Sequence, residues 1–404
     1  MSLRSRCSQF LSRKSVVRYR KYPNPTNSWF ALFFVLISVP LALLLLPFFL
    51  VYVALKRQLS ITVLATDNEF GPFMHLMEHL RGQDMSASDC VFVLSSKRHQ
   101  TFTELYRREL ATPILWGQGC VRLLQQAMLL QPSFLVKSRL LTPVIANEMC
   151  SKNVEVPNEL LNEGEKLLKK IGLSRDRYVA MAVHTSSYDE TENDRYAFQE
   201  RARETIGSEL VEGVDYLRSS GVGVVLLGSA DTGKSHIPRS IPRLHEFGKH
   251  GGVAEVAVVS GCKYFWTDDV GAWWLAVPFG KPILFTNFSR ILIRNGIQPR
   301  GHLVVPARYE SLHGKRLSFR DLLESRSPTY KAAARGKLVM IRNSSEEIVE
   351  AHREMIARVS GLWSEDDEAR EQREQLERIF GDFPEWHPLS VASSFLKRYP
   401  YLLD

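Results

Sequence analysis

Residues 264–287, YFWTDDVGAWWLAVPFGKPILFTN, are the most informative part of this chain. Residues 264–267 are aromatic or β-branched, which predicts a short buried strand. Residues 272–279 predict a helix that the Gly280-Lys281-Pro282 breaker ends, and residues 283–286 predict a second buried strand. A strand, a glycine-containing turn, a helix and another strand form the repeating unit of an open α/β sheet.

Polar residues follow both predicted strands: Asp268, Asp269 and Gly271 after the first, and Asn287 after the second. Ligands of open α/β sheets bind outside the carboxyl ends of the strands, where helix N-termini offer unpaired N–H groups to phosphate. We therefore expect a ligand site here. A plain βαβ unit with solvated acids in its loop is the alternative that these residues leave open.

The positive charge of the chain is concentrated near its beginning. The formal net charge is +8. Nine basic residues precede residue 58, and no acidic residue precedes Asp67, so the remainder is nearly neutral. A nucleic-acid-binding domain needs a basic patch on its folded part, so this distribution argues against nucleic acid as a partner. It favours an N-terminal arm, residues 1–28, at a membrane surface.

Residues 29–55 are uncharged and almost wholly apolar, which predicts a membrane segment and the lipid bilayer as a partner. Two topologies stay open. A basic arm before the segment favours a single transmembrane helix, whereas Pro40, Pro47 and the basic pair Lys56-Arg57 fit a re-entrant hairpin. Five scattered cysteines without a metal-binding spacing indicate reduced thiols. They favour a domain on the cytoplasmic face of the cell's inner membrane.

The rest of the chain alternates strand and helix patterns, which predicts two α/β domains with parallel sheets. Strands are expected at residues 60–65, 91–94 and 112–115 in the first domain. The predicted domains are an N-terminal Rossmann-like domain at 58–150, a linker and helix at 151–175, a C-terminal Rossmann-like domain at 176–362, and a C-terminal helix and tail at 363–404.

Residues 228–235, GSADTGKS, match the P-loop pattern G-x-x-x-x-G-K-S and follow an apolar strand. A P-loop requires a helix to begin at its Lys and Ser. Pro238 and Pro242 fall in the first two turns of that helix, where proline costs about 3 kcal/mol or more. We therefore interpret the segment as a glycine-containing turn, and a P-loop NTPase is the third of three functional hypotheses.

Four segments carry a resemblance to a known family: residues 178–184 with Arg201 and Arg203 downstream, residues 223–228 with Pro238, residues 264–287, and residues 317–324 followed by 342–348. In order and spacing they resemble bacterial glycosyltransferases of the GT-B fold that are encoded with polysaccharide-biosynthesis genes, distant relatives of fucosyltransferases. The resemblance implies two Rossmann-like domains, with a nucleotide-sugar bound mainly by the second and a glycan or lipid-linked acceptor mainly by the first.

The chain departs from the family pattern at two arginines. His184-Thr185-Ser186 lacks the arginine that usually follows the first strand of the second domain, and Leu226-Leu227 replaces another before Gly228. Arginine suits a diphosphate because it is always charged and bidentate. The resemblance and the strand-end positions together give a predicted donor-binding set: His184, Arg201, Arg203, Gly228, Ser229, Asp268, Asp269, Gly271 and Asn287.

Asp67 follows the first strand of the first domain and is the predicted catalytic base, with Glu69 as the second candidate. No metal-binding spacing is present in the sequence, so neither a metal nor a cofactor is expected; the nucleotide-sugar is a substrate. A membrane-anchored glycosyltransferase is the first hypothesis. A catalytically impaired relative that acts as a binding or scaffold protein is the second, because of the two replaced arginines.

Overall fold

The computed structural model describes residues 37, 39–47, 59–64, 74, 77–81, 90–93, 104–106, 114–116, 124, 136–141, 153–183, 207–228, 237–247, 251–268, 271–289, 301–325, 333, 336–384, 386 and 388–404. These residues form a mixed α/β structure, as the alternating pattern predicts. Met1–Ala65, Ser86–Ser96 and Thr112–Leu141 belong to one compact unit, and Thr66–Met85, Lys97–Ala111 and Thr142–Asp404 to another. The predicted domain boundaries stay predictions.

The first unit contains a parallel four-stranded sheet. Its strands are β1 (Leu59–Leu64), β2 (Cys90–Val93), β3 (Ile114–Trp116) and β4 (Val136–Leu141), in the order β3-β2-β1-β4. Three of them lie within two residues of the predicted strands. The sequence pattern did not reveal β4, because Lys137 and Arg139 interrupt its apolar run.

The second unit contains a parallel five-stranded sheet in the order β6-β5-β7-β8-β9. Its strands are β5 (Tyr178–Ala182), β6 (Gly223–Leu226), β7 (Tyr264–Thr267), β8 (Ile283–Phe288) and β9 (Leu303–Pro306). Every residue of β5, β7, β8 and β9 is buried. Burial on both faces explains why these strands are near-continuous apolar runs rather than alternating ones. A separate antiparallel pair joins β10 (Arg308–Ser311) to β11 (Leu338–Ile341).

Helices cover both faces of the five-stranded sheet. From residue 153 onwards the structure has α1 (Asn158–Ile171), α2 (Gly207–Ser219), α3 (Gly251–Gly261), α4 (Phe319–Glu324), α5 (Ser345–Val359), α6 (Asp367–Gly381) and α7 (Ser393–Arg398). The Tyr178 hydroxyl donates to the carbonyl of Val258 on α3 at 2.6 Å, whereas Tyr264 contacts His352 on α5. The opposite directions of these two side chains assign α3 and α5 to opposite faces.

The helix starts agree with the capping residues of the sequence. Ser344 caps α5 by accepting from the Glu347 N–H, and the Glu347 carboxylate accepts from the Ser344 N–H. Ser318 and Asp321 form the same capping box at α4. These reciprocal bonds satisfy N–H groups that a helix start otherwise leaves unpaired.

The prediction of an α-helix at residues 272–279 is wrong. The structure has two short 3-10 turns instead, Gly271–Leu275 and Val277–Phe279. Pro278 explains the difference, because proline inside an α-helix removes a backbone donor and clashes with the preceding turn. A turn of five residues lacks the extended dipole of a long helix, so the phosphate-binding helix start expected at Gly271 is absent from this segment.

The predicted membrane segment at residues 29–55 lies mostly outside the described residues. Residues 39–47 are helical, and Ile37, Val39, Leu43 and Leu44 expose apolar side chains. Across the described ranges, no helix has the length and apolarity of a bilayer span. The spanning and the re-entrant topologies both stay predictions.

Candidate ligand site at the carboxyl edge of the second sheet

The strand order of the second sheet singles out one position for a ligand. The chain passes from β5 outwards to β6 and then returns to β7 on the other side of β5. Ligands of open parallel sheets bind at the carboxyl ends of the two strands that flank such a reversal. Ala182 ends β5, Thr267 ends β7, and these two residues are register partners.

Two buried polar residues mark the end of β7. Asp268, the first residue after the strand, is only 1% exposed. Thr267 is completely buried, and its Oγ1 has no hydrogen-bond partner in the described part of the chain. A buried hydroxyl without a partner costs about 1–3 kcal/mol. A bound molecule that offered a polar atom here would remove that cost.

A neutral aromatic cluster supports the face of β7 that packs on α5. The Trp266 indole N–H donates to Thr286 Oγ1 at 3.0 Å, and the indole lies edge-on to His352 with 4.3 Å between ring centroids. The Tyr264 hydroxyl lies 2.7 Å from His352 Nδ1. Burial lowers the pKa of His352 to about 3 and raises the pKa of Tyr264 well above its usual value, so both stay neutral near pH 7.

Asn287, a predicted donor contact, is held by bonds within the chain. Its backbone N–H donates to Asn343 Oδ1, and its own Oδ1 accepts from the Asn343 N–H at 2.7 Å. Its side-chain Nδ2 donates to Glu209 Oε2 at 3.0 Å. Asn287 also has a left-handed φ of 51°, which asparagine tolerates better than most residues. Each of these groups anchors the end of β8, and a direct donor contact by Asn287 stays a prediction.

A carboxylate and a guanidinium form an ion pair beside Asn287. Glu209 lies in the first turn of α2, and its Oε2 is 3.8 Å from Arg342 Nη1. That separation is an ion pair without a hydrogen bond, and Nη1 has no hydrogen-bond partner in the described structure. The Arg342 side chain is 21% exposed, so the group is partly withdrawn from water but still reachable.

The two candidate glycines have different backbone requirements. Gly228, just after β6, has a φ of 117°, which side-chain-bearing residues rarely adopt. Gly271 opens the 3-10 turn, is exposed, and has a φ outside the left-handed region. Among the described residues, a Cβ at either position would meet no atom within 4 Å. Space beside them is compatible with a close ligand, and the donor contacts of both glycines stay predictions.

The remaining predicted site residues lie outside the described residues. They are the donor-binding candidates His184, Arg201, Arg203, Ser229 and Asp269 and the two candidate bases, Asp67 and Glu69. The structure therefore brings Asp268 and Asn287 to one sheet edge, and the donor-binding and catalytic roles of all the predicted site residues stay predictions. Among the described residues, no group of acids, histidines and cysteines is suited to holding a metal ion.

The structure argues against the P-loop interpretation of residues 228–235. A P-loop helix would extend through residues 237–243, but that stretch consists of turns and a bridge. The Leu226 N–H donates to the Pro242 carbonyl at 2.9 Å, and Arg243 bridges to Leu226. The chain thus runs beside the edge of β6 where the P-loop motif needs a helix.

Sequence reasoning missed Thr267, Glu209 and Asn343, and it assigned no role to Arg342. Thr267 and Glu209 carry no local signal, because an apolar strand often ends in threonine and an early helical turn often contains an acid. Arg342 and Asn343 had a positional signal. They separate an apolar strand from a capped helix, which is the kind of position where ligand contacts occur.

No protein-family model and no curated protein sequence matches this chain. Among solved structures it is similar to a glycosyl transferase family 9 protein from Veillonella parvula DSM 2008, with 10% identity, a TM-score of 0.40 and coverage of 75% of this chain and 98% of that one. It is also similar to the dodecameric iron-containing glycosyltransferase TibC from enterotoxigenic E. coli H10407, with 12% identity, a TM-score of 0.40, and coverage of 75% and 77%. A third similar structure is the E. coli ADP-heptose lps heptosyltransferase II, with 11% identity, a TM-score of 0.38 and coverage of 75% of this chain and 100% of that one. Similarities of this size do not assign a family.

Proposed function

We propose that this protein is a membrane-anchored glycosyltransferase that moves a sugar from a nucleotide-sugar to a glycan or lipid-linked acceptor in surface polysaccharide biosynthesis. The observation that carries the proposal is the pair Thr267 and Asp268, two buried polar residues at the strand-order reversal of a parallel sheet. Such a position is where nucleotides bind in open α/β folds.

The donor's hydroxyl groups suit these two residues. A carboxylate accepts hydrogen bonds from ribose or sugar hydroxyls, and the Thr267 hydroxyl can donate to or accept from the same groups. Asp268 then orients the donor, while Gly228 and Gly271 leave space for the ligand beside the backbone. Asp269 would cap the turn that follows and His184 would contact the donor from the end of β5; both roles are taken from the sequence.

The transfer step follows from the chemistry of a nucleotide-sugar. The base, Asp67 or Glu69, takes the proton of the acceptor hydroxyl as the oxygen attacks the anomeric carbon. The bond from the anomeric carbon to the diphosphate oxygen breaks, and its electron pair leaves with the nucleoside diphosphate. Nearby cations stabilise that leaving group. The step needs no metal, so transfer is expected to persist in excess EDTA.

A ligand panel separates the proposal from its alternatives. Thermal unfolding of the full-length protein in detergent is measured with uridine, guanosine and adenosine diphosphate-sugars and with ATP plus Mg²⁺. We expect a diphosphate-sugar to raise the melting temperature and ATP with Mg²⁺ to leave it unchanged. Stabilisation by ATP with Mg²⁺ alone would favour an NTPase, and no response to any nucleotide would favour a scaffold protein and contradict the proposal.

The proposed place of action is the cytoplasmic face of the inner membrane, where bacteria make nucleotide-sugars. Both flanks of residues 29–55 are basic, which supports attachment of the chain to the bilayer from that side. Alkaline phosphatase fused after residue 404 is expected to be inactive in cells, because that enzyme needs the periplasm. An active fusion would place the globular part outside and contradict this location.

A further inference from the structure

Arg342 stands out because the charge of its guanidinium is only loosely compensated. Glu209 Oε2 lies 3.8 Å from its Nη1, beyond hydrogen-bond distance, and the Nη1 atom is buried without a hydrogen bond in the described structure. The neighbouring Arg308 also has a buried nitrogen without a hydrogen-bond partner, its Nε, in the described structure. Its guanidinium differs in being compensated by two groups, since it lies 4.1 Å from the centre of the Tyr399 ring and 3.5 Å from Glu347.

The position of Arg342 is fixed by the elements around it. Arg342 follows β11, and the next residue, Asn343, is bonded to Asn287 at the end of β8. Asn287 in turn donates to Glu209 in the first turn of α2, the next described helix after β5. Because β7 lies between β5 and β8, these bonds place Arg342 at the sheet edge where Thr267 and Asp268 end β7.

Glu209 restrains Arg342 by charge but accepts no hydrogen bond from its Nη1. Its Oε2 accepts from Asn287 Nδ2 at 3.0 Å, which orients the carboxylate towards Arg342. A guanidinium has five N–H donors and binds a phosphate group with two parallel bonds. In the described structure Arg342 Nη1 makes an ion pair with Glu209 and has no hydrogen-bond partner. This nitrogen is therefore available to an anionic ligand.

We propose that Arg342 binds the diphosphate of the nucleotide-sugar and that Glu209 holds it in position for this ligand. This inference rests on the proposed function. Arg342 would supply the positive charge that the family pattern usually places near His184 and near Leu226-Leu227, where this chain has no arginine. Bidentate contact with the diphosphate would neutralise the leaving group as the sugar departs. Arg342 would thus affect donor binding and the transfer rate together.

Two substitutions distinguish ligand binding from a structural ion pair. Arg342→Gln and Glu209→Gln both remove the pair, and glutamine at 209 keeps an acceptor for Asn287 Nδ2. If the pair only supported the fold, both variants would lose stability and affinity alike. For a phosphate-binding arginine that Glu209 positions, we expect unequal results: Arg342→Gln weakens nucleoside diphosphate binding about tenfold or more, whereas Glu209→Gln, which keeps the guanidinium and loosens only its position, weakens it by a smaller factor.

Titration calorimetry of the full-length protein measures these affinities with uridine, guanosine and adenosine diphosphates, the matching nucleosides and inorganic pyrophosphate as probes. Arg320→Gln is the matched control, since it removes an arginine from an exposed ion pair with Asp382 away from the sheet edge. Arg342→Lys keeps the positive charge but loses the two parallel N–H donors of the guanidinium. Its diphosphate affinity should therefore lie between those of the wild type and Arg342→Gln. Melting temperatures report whether each variant is folded.

The outcomes separate this inference from the proposed function. Nucleoside binding that survives in Arg342→Gln while diphosphate affinity is lost supports the inference. Sugar transfer and diphosphate affinity that both persist in a folded Arg342→Gln would overturn the inference and leave the glycosyltransferase intact. Absence of nucleoside diphosphate binding in the wild type would overturn both.

Discussion

Asn287 and Asn343 hydrogen-bond to each other in both directions, each joining its backbone N–H to the other's side-chain oxygen. Asn343 Nδ2 also donates to the Pro306 carbonyl at 3.0 Å, so one side chain connects the ends of β8 and β9 to the start of α5. Both asparagines are buried. This connection fixes the sheet edge that we assign to the donor.

Removing the connection should weaken the protein and its site together. Asn343→Ala leaves the buried Asn287 N–H and the Pro306 carbonyl without their partners, which costs about 1–3 kcal/mol for each unsatisfied group. Urea unfolding is expected to show a lower free energy of unfolding by at least that amount, and diphosphate affinity is expected to fall. Asn162→Ala, at an exposed position on α1, is the control and should change neither quantity. An unchanged Asn343→Ala variant would contradict this role.

The two candidate glycines should respond differently to alanine. At Gly228 the φ of 117° strains any side-chain-bearing residue, so Gly228→Ala should destabilise the protein by about 1–3 kcal/mol. At Gly271 no such strain exists and a Cβ would meet no atom of the described residues within 4 Å, so Gly271→Ala should leave stability nearly unchanged. Thermal unfolding of the two variants side by side measures the difference. Equal melting temperatures would show that the turn after β6 can relax.

The buried His352 predicts a specific loss of stability in acid. Burial lowers its pKa from 6.5 to about 3, so the folded state keeps it neutral while the unfolded state binds a proton below pH 6.5. Its contribution is complete above pH 6.5 and is lost as the pH falls towards 3, with a slope of up to about 1.4 kcal/mol per pH unit. In His352→Gln, urea unfolding between pH 7 and 4 should show a shallower dependence on pH. His313→Gln, at an exposed histidine, is the control. A pH dependence in His352→Gln as steep as that of the wild type would refute the prediction.

The motif at residues 228–235 should be dispensable for nucleotide chemistry. Residues 237–243 form no helix, although the helix that follows a P-loop lysine would extend through them. Lys234→Ala is therefore expected to keep nucleotide-dependent activity within a few-fold of the wild type. Loss of ATP binding in this variant, with the fold retained by circular dichroism, would restore the NTPase hypothesis.

The sequence revealed the strands of the second sheet because they are buried on both faces and therefore apolar throughout. It also revealed the capped starts of α4 and α5, whose Ser and acid spacing is local. It did not reveal the turns at residues 271–279, where Pro278 prevents the α-helix that the apolar pattern favours. Nor could it join Glu209 to Asn287 and Arg342, since these residues come from three distant segments and meet only through the strand order.

A nucleotide-sugar bound at the end of β7 would contact Asp268, so the donor affinity of an Asp268 variant reports whether the ligand binds there. Titration calorimetry of the wild type and of Asp268→Ala with the diphosphate-sugar that stabilises the protein measures the affinity, with circular dichroism as the folding control. Gly271→Trp adds a steric test, because its indole would fill the open space beside the turn. We expect both folded variants to bind the donor at least about tenfold more weakly, as loss of a hydrogen bond to a charged group predicts for Asp268. Unchanged affinity in both folded variants would contradict donor binding at the end of β7 and place the donor elsewhere.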